Sequence, residues 1–266
     1  MTNILFYYII KWVIKMMIDT HCHILKEDYE NVEEVINKMK DNIIVISSAS
    51  PKEIDEVIYL SKKYKNVYAT IGIHPEFANK YREEDLKKIE NHLKDEKIVG
   101  IGEIGLDYHF TKEEKEEQKK LFIKQIKLAN KYKKTIVIHS RDAAIDTYNI
   151  IEKYKDKEVN CDMHCYSYDL SLAKKLTEKG ITLGIGGIVT FKNETQLKEI
   201  VEQIDLKYLV LETDSPYLSP EPKRGKKNEP INIKYIAQTI AKIKNNKIEE
   251  VFSQTTKNAK KIYGIK

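Results

Sequence analysis

From Met17 onward the chain alternates between two patterns. Short runs of β-branched and apolar residues recur, separated by longer segments rich in lysine and glutamate with apolar positions three and four apart. The short runs are MIDTH (17–21), IIVISS (43–48), VYATIGIH (67–74), IVGIGEIG (98–105), TIVIHS (135–140), VNCDMHC (159–165), ITLGIGG (181–187) and YLVLETD (208–214). Several are apolar throughout, as parallel strands covered on both faces are. Segments 112–134 and 171–180 read as amphipathic helices, the second stopped by Gly180. Eight strand candidates, each followed by a helix candidate, predict an α/β fold: a single (β/α)8 TIM-type barrel. The spacing leaves no room for a second domain. An open doubly wound sheet is the competitor, but IGEIG lacks the glycine spacing of a dinucleotide loop.

Composition narrows the class without changing the fold. The 266 residues are 33% charged and 41% apolar, with a formal charge of +5. That mild basicity permits an anionic substrate and does not demand one. Three cysteines without a pairing plan exclude a disulfide framework and suit a reducing compartment. Residues 1–16 (MTNILFYYIIKWVIKM) form an apolar leader, distinct from the barrel expected over 17–266. The leader is too short for a membrane span and lacks the marks of a secretory signal. It reads as a membrane-surface helix or, preferably, as residues preceding a true start at Met16 or Met17.

The seven histidines fall unevenly on this map. His21 and His23 end strand 1, His74 ends strand 3, His139 ends strand 5 and His164 lies near the end of strand 6. Only His92 and His109 fall elsewhere. Glu103 ends strand 4 and Asp214 ends strand 8. In this fold the C-terminal ends of the strands converge on one mouth, where active sites are built. Alternation supports the grouping. His21 and His23 share a face, as do Val137 and His139, and Glu212 and Asp214. Asn160, Asp162 and His164 share a face, which turns Cys161, Met163 and Cys165 toward the helices as core. Four histidines and two carboxylates exceed the needs of one open catalytic ion and suit two divalent ions, Mg, Mn or Zn, about 3.5–4 Å apart. His21, His23 and Glu103 are expected to hold one ion, with Glu103 also bridging to the other, held by His139 and His164. Asp214 completes the first or holds the attacking water. Glu212 is expected to orient a ligand histidine through its other ring nitrogen.

MIDTHCHI, TIGIHPE, VGIGEIGLDYH, IVIHSRDA, MHCYS, GGIVTFKN, LETDSPYLSP and RGKKNEP together resemble the TatD family of metal-dependent deoxyribonucleases, over essentially all of Met17–Lys266. The resemblance implies a cytoplasmic metal hydrolase that cuts DNA, often as a 3′-to-5′ exonuclease. It places metal ligands at His21, His23, Glu103, His139, His164 and Asp214, and sets His74 near the scissile phosphate. The expected chemistry is in-line attack on phosphorus by a metal-held hydroxide, with Asp214 and Glu103 as the catalytic carboxylates. Arg141 and Arg224 are candidate phosphate contacts, with Lys192, Lys226 and Lys227 nearby. The expected partner is DNA, with RNA as a further candidate; no stable membrane partner is expected, and the protein is expected to be a monomer. The runner-up is a metal amidohydrolase or esterase acting on a small carbonyl or phosphoester substrate. Such barrels commonly bridge their ions with a carbamylated lysine where this chain has Glu103. A catalytically idle nucleic-acid-binding barrel is a third reading, disfavoured by the intact ligand set.

Overall fold

The computed structural model describes residues 16–110 and 112–266. The leader expected at 1–16 therefore lies outside the described residues, apart from Met16. Eight parallel strands follow one another around a nearly closed barrel in sequence order. They are β1 (Ile18–Cys22), β2 (Ile43–Ser47), β3 (Val67–Thr70), β4 (Ile98–Asp107), β5 (Thr135–Arg141), β6 (Cys161–Met163), β7 (Thr182–Ile185) and β8 (Leu209–Leu211). Helices α1 (Val32–Asn37), α2 (Ile54–Lys63), α3 (Glu83–His92), α4 (Lys115–Tyr132), α5 (Ala144–Tyr154), α6 (Leu170–Glu178) and α7 (Gln196–Gln203) each follow one strand. Two, α8 (Ile233–Ile243) and α9 (Ile248–Tyr263), follow β8. No helix among the described residues is long and apolar enough to cross a membrane.

The apolar runs divide into two cores, as a barrel requires. Outward residues such as Ile44, Ile136, Ile138 and Leu183 pack under the helices. Inward residues Ile18, Val45, Val99, Val137 and Val210 fill the floor of the barrel, which Ile262, Tyr263 and Ile265 close from below. Above that floor sit Asp19, Asp162 and Glu212, all fully buried. Thr213 donates to Asp19 through its N–H (2.9 Å) and its hydroxyl (2.5 Å). Thr182 and Tyr263 donate to Asp162 at 3.0 and 2.7 Å. Buried polar groups are tolerable where partners of this kind are built in.

Several strands are shorter than the apolar runs that announce them. β3 pairs only to Thr70, although the run continues to His74. Beyond it, Ile71 still exchanges bonds with Gly100 and Gly102 of β4, and the Ile73 peptide is satisfied by a helix: Ile73 N–H donates to Gln125 Oε1, and Gln125 Nε2 donates to the Ile73 carbonyl, both at 2.9 Å. One face of α4 does this twice. Seven residues earlier, Gln118 accepts from Asp107 N–H at 2.8 Å and donates to its carbonyl at 2.9 Å. Both glutamines are fully buried, and they fix the chain next to His74 and at Asp107.

Replacing Gln125 with Leu leaves a buried N–H and C=O without partners. Stability should fall by about 2–4 kcal/mol, read as a lowered denaturation midpoint. An unchanged midpoint would show that water or another side chain satisfies Ile73.

Candidate metal centre

The seam between β8 and β1 is closed by the residues that build the site. Asp214 N–H donates to the His21 carbonyl at 3.0 Å, and His23 N–H to the Ser215 carbonyl at 2.6 Å. The Thr20 hydroxyl donates to the Leu211 carbonyl at 3.0 Å. Asp214 takes a left-handed φ of 52°, which turns the chain over the mouth directly after β8.

Glu103 does not end its strand. β4 runs on to Asp107, and its register against β5 slips between Ile101 and Ile104, so that Gly102 and Glu103 together face Val137. Glu103 sits in that bulge, with its N–H donated to the Ser48 carbonyl at 3.1 Å. Glycines on both sides permit it. A Cβ on Gly102 would stand 2.5 Å from Val137 Cβ, and one on Gly105 (φ +148°) would overlap the His139 carbonyl. The spacing of IGEIG is the requirement of a bulge that aims a carboxylate inward.

The two oxygens of Glu103 face different imidazoles. Oε2 lies 3.5 Å from His21 Nε2 and 3.7 Å from His23 Nε2. Oε1 lies 2.7 Å from His139 Nδ1 and 3.0 Å from His164 Nε2. Asp214 Oδ1 joins the first group, 3.8 Å from His21 Nε2 and 3.6 Å from His23 Nε2. Ligand atoms within reach of one cation thus occur as His21, His23 and Glu103, as Glu103, His139 and His164, and as His21, His164 and Asp214.

Backbone contacts fix two histidine tautomers. His23 Nδ1 faces the Ser47 carbonyl at 3.1 Å, so in the neutral ring it carries the proton and leaves a lone pair on Nε2. That Nε2 lies 3.2 Å from His21 Nε2, whose other ring nitrogen contacts the Ser47 hydroxyl at 3.1 Å. His74 is the opposite case. Its Nδ1 accepts the Glu76 N–H at 3.2 Å, so its proton sits on Nε2, which points at Glu103 Oε1 from 3.8 Å. His74, Asp107 and His139 have the spacing of a further cation site, but His74 presents an N–H there, not a lone pair.

The electrostatics favour positive charge. Burial pushes Glu103 up, yet the His164 charge and hydrogen bonds from His139, His164 and His21 hold it well below the usual carboxylate range. Burial would lower His23, but Asp214 and Glu103 raise it to about 9. Burial and the neighbouring His139 drop His74 to about 3, keeping it neutral. Converging imidazole lone pairs around two carboxylates are a donor set that divalent ions fit, and nitrogen donors suit zinc or manganese.

Other expected residues are placed differently. Arg141 lines the mouth, a cavity of about 690 Å³ that also exposes His23, His74, Glu103, His139, His164 and Asp214. Arg224 does not line it; its guanidinium stacks 3.9 Å over the Phe191 ring. Cys161 and Met163 lie in the outer core as expected, but Cys165 lines the mouth, because its φ of 46° breaks the alternation. Glu212 Oε1 approaches His164 Nδ1 at 3.4 Å and accepts the Cys165 N–H at 2.6 Å, while His164 Nδ1 makes no hydrogen bond. Asp107 was not anticipated. Its Oδ2 lies 3.0 Å from His139 Nε2, and its parity with Glu103 was the available signal.

The fold and this donor set define a metal-dependent hydrolase barrel. The profile of the TatD-related DNase family matches residues 18–264, and the chain belongs to that family. It is 40% identical over 255 residues to the Bacillus subtilis protein YabD, named an uncharacterized metal-dependent hydrolase, covering 94% of this chain and all of that one. A Methanocaldococcus jannaschii protein with the same designation is also 40% identical, covering 92% of this chain and 96% of its own. The structure of YjjV, a TatD homologue from Escherichia coli, superposes with a TM-score of 0.86 at 23% identity, covering 94% of this chain and 98% of that one.

A pH dependence follows for the metal-free protein. His23 has a folded pKa of about 9 against an ordinary 6.5. Its stabilising contribution is complete below pH 6.5 and is lost as pH rises through 9. The melting temperature of metal-free protein should therefore fall across that window. Binding of manganese should tighten over the same window, as protons stop competing. A flat metal-free profile would show that His23 does not hold the proton.

Proposed function

We propose that the protein is a divalent-metal-dependent deoxyribonuclease that removes nucleotides from DNA ends, in the 3′-to-5′ direction, with residues 17–266 as the catalytic unit. One observation carries the reading: a single glutamate offers each oxygen to a separate pair of imidazoles. That is the donor arrangement of a two-ion phosphodiesterase. His21, His23, Glu103 and Asp214 would hold one ion; Glu103, His139 and His164 would hold the other. Ions bound there would lower the pKa of water and neutralise charge on the leaving oxygen. Asp214 would take a proton from the attacking water and aim it at phosphorus. His74, neutral with its proton on Nε2, donates to a phosphate oxygen without competing for a cation. Arg141 holds a flanking phosphate at the rim. We further infer action as a monomer in the cytoplasm.

The amidohydrolase or esterase reading is tested beside it. The mouth carries Glu27, Asp28, Glu53 and Glu76 besides the central carboxylates, with Arg141 the one lysine or arginine among the described residues lining it. Such a wall suits a small or terminal substrate better than a long polyanion.

Purified protein loaded with Mg, Mn or Zn should shorten end-labelled DNA one nucleotide at a time. Glu103→Gln keeps the shape of the side chain but removes the charge holding two dications together. It should keep its fold, bind at most one ion and lose cleavage by about 100-fold or more. His92→Ala, on α3 away from the mouth, is the control. Metal content and product ladders decide it: two ions and normal cutting in Glu103→Gln would put the bridge elsewhere. Ester turnover without DNA cleavage would overturn the nuclease reading.

A further inference from the structure

The described chain begins at the floor of the barrel, one strand length below His21 and on the face opposite the metal centre. Met16 is 37% exposed, and its carbonyl accepts the Thr256 hydroxyl of α9 at 2.6 Å. Met17 N–H donates to Asn42 Oδ1 at 2.9 Å. These bonds fix the point from which residues 1–15 depart. Thr256 belongs to the outward stripe of α9, with Ser253, Lys257 and Lys260, whereas Val251, Thr255, Ala259 and Ile262 are buried. Met16 and that stripe line one hollow of about 330 Å³.

This floor is basic. Lys97, Lys133, Lys134, Lys261 and Lys266 line a second hollow of about 500 Å³, with Glu96 the one acid among its described lining residues. Part of that charge is used inside the fold. Lys97 Nζ donates to the Lys65 and Val67 carbonyls at 2.7 and 3.0 Å, Lys134 Nζ donates to the Ile98 carbonyl, and Lys133 Nζ pairs with Glu158 at 3.0 Å. Lys257, Lys260, Lys261 and Lys266 have no such partner among the described residues. The dipole of α9 accounts for lysines in its last turn, Lys260 and Lys261, but not for Lys257 or Lys266. The helix's own acids, Glu249 and Glu250, stand in its first turn, at the far end. The mouth has the opposite sign, with Glu27, Asp28, Glu53 and Glu76 against Arg141. A negatively charged surface therefore attracts the floor and repels the mouth.

Residues 1–15 supply what the floor lacks. Eleven of them are apolar or aromatic, two are lysines and none is acidic; Trp12 is the single tryptophan of the chain. The segment is shorter than the roughly 20 residues of a spanning helix. Its composition suits the boundary between headgroups and acyl chains, where tyrosine and tryptophan concentrate. An apolar segment or a basic patch alone binds a bilayer marginally, and the two together attach stably. The leader alone predicts no stable membrane partner; the face it departs from changes that. We propose that the floor of the barrel docks on an anionic lipid bilayer, with residues 1–15 as the apolar anchor. Lys257, Lys260, Lys261 and Lys266 lie against the headgroups, and the mouth faces away. The docking holds whatever substrate the mouth takes.

The test is flotation of the full chain with vesicles of phosphatidylcholine, alone or with about 30% phosphatidylglycerol; aggregated protein does not float. Partition onto the anionic vesicles should be at least about 10-fold stronger and should weaken as salt rises. Trp12 emission should move to shorter wavelength on binding. Removing residues 1–15 should abolish flotation and leave the melting temperature unchanged. Lys257→Gln, Lys260→Gln and Lys261→Gln combined should lower the partition coefficient about 10- to 100-fold. Lys112→Gln, on the loop after β4 at the mouth end, should leave it unchanged. Equal partition onto neutral and anionic vesicles, or no effect of the triple substitution, overturns the docking face. A lowered melting temperature in the truncated protein shows that the leader packs on its own floor and overturns the anchor. Duplex DNA binding that the triple substitution weakens, without flotation, makes the floor a nucleic-acid surface instead. A native protein whose first residue is Met16 or Met17 also overturns the proposal.

Discussion

Glu103 is a carboxylate with 5% of its surface exposed, in the throat of a parallel barrel whose floor is valine and isoleucine. An isolated charge in such a place would protonate or unfold its surroundings. It stays ionised because four imidazoles from β1, β5 and the residues after β1 and β6 surround it. His23, His139 and His164 are pushed toward the charged form beside the carboxylate, whereas burial and the His164 charge lower His21. The interaction is mutual, and it leaves a cluster whose protons occupy the positions that divalent ions would take. Metal-free, the cluster is held by charged hydrogen bonds; loaded, the same lone pairs would serve as ligands.

That cluster cannot be separated from the fold. A barrel needs its last strand joined to its first, and here both strands are short. Asp214, His21, His23 and Ser215 supply the bonds beyond the ends of the ladder. Asp19, two residues before His21, takes both donors of Thr213, next to Asp214. Residues positioned for the chemistry therefore also hold the seam, which ties the geometry of the mouth to the integrity of the sheet.

Much of this was legible in the chain because strands have a period of two and barrel strands share a mouth. His21 and His23 project together, and His139 faces inward with Val137, as alternation requires. Legibility ended where the backbone leaves that period. The bulge at Glu103 lets β4 continue to Asp107, so a run read as ending at Gly105 hid the carboxylate beside His139. The left-handed turn at Cys165 moves a residue assigned to the outer core into the mouth. Beyond β3 a single α4 glutamine, Gln125, satisfies the Ile73 peptide, and side-chain substitutes for a ladder leave no trace in hydrophobic periodicity. Arg224 reads as a phosphate contact by residue type, but Phe191 offers its guanidinium a ring away from the cavity.

The layer beneath the mouth explains how so much acid can be stacked in one barrel. Asp19, Asp162 and Glu212 lie between the apolar floor and the imidazoles, and full ionisation of all three would oppose Glu103 and Asp214 from below. Burial raises Asp19 well above the usual range, and burial with the Glu212 charge raises Asp162 to about 7. Both are shifted toward the neutral form relative to an ordinary carboxylate, and each is held by hydroxyl donors from neighbouring elements. Glu212 lies beside His164, with its Oε1 3.4 Å from the ring Nδ1. The negative field is concentrated at the top of the barrel, where cations can enter from solvent, and is damped where they cannot. A ring nitrogen facing that field binds a cation only if its proton is elsewhere. The Ser47 carbonyl arranges this for His23 and the Glu76 amide forbids it for His74, although both rings look into the same cavity.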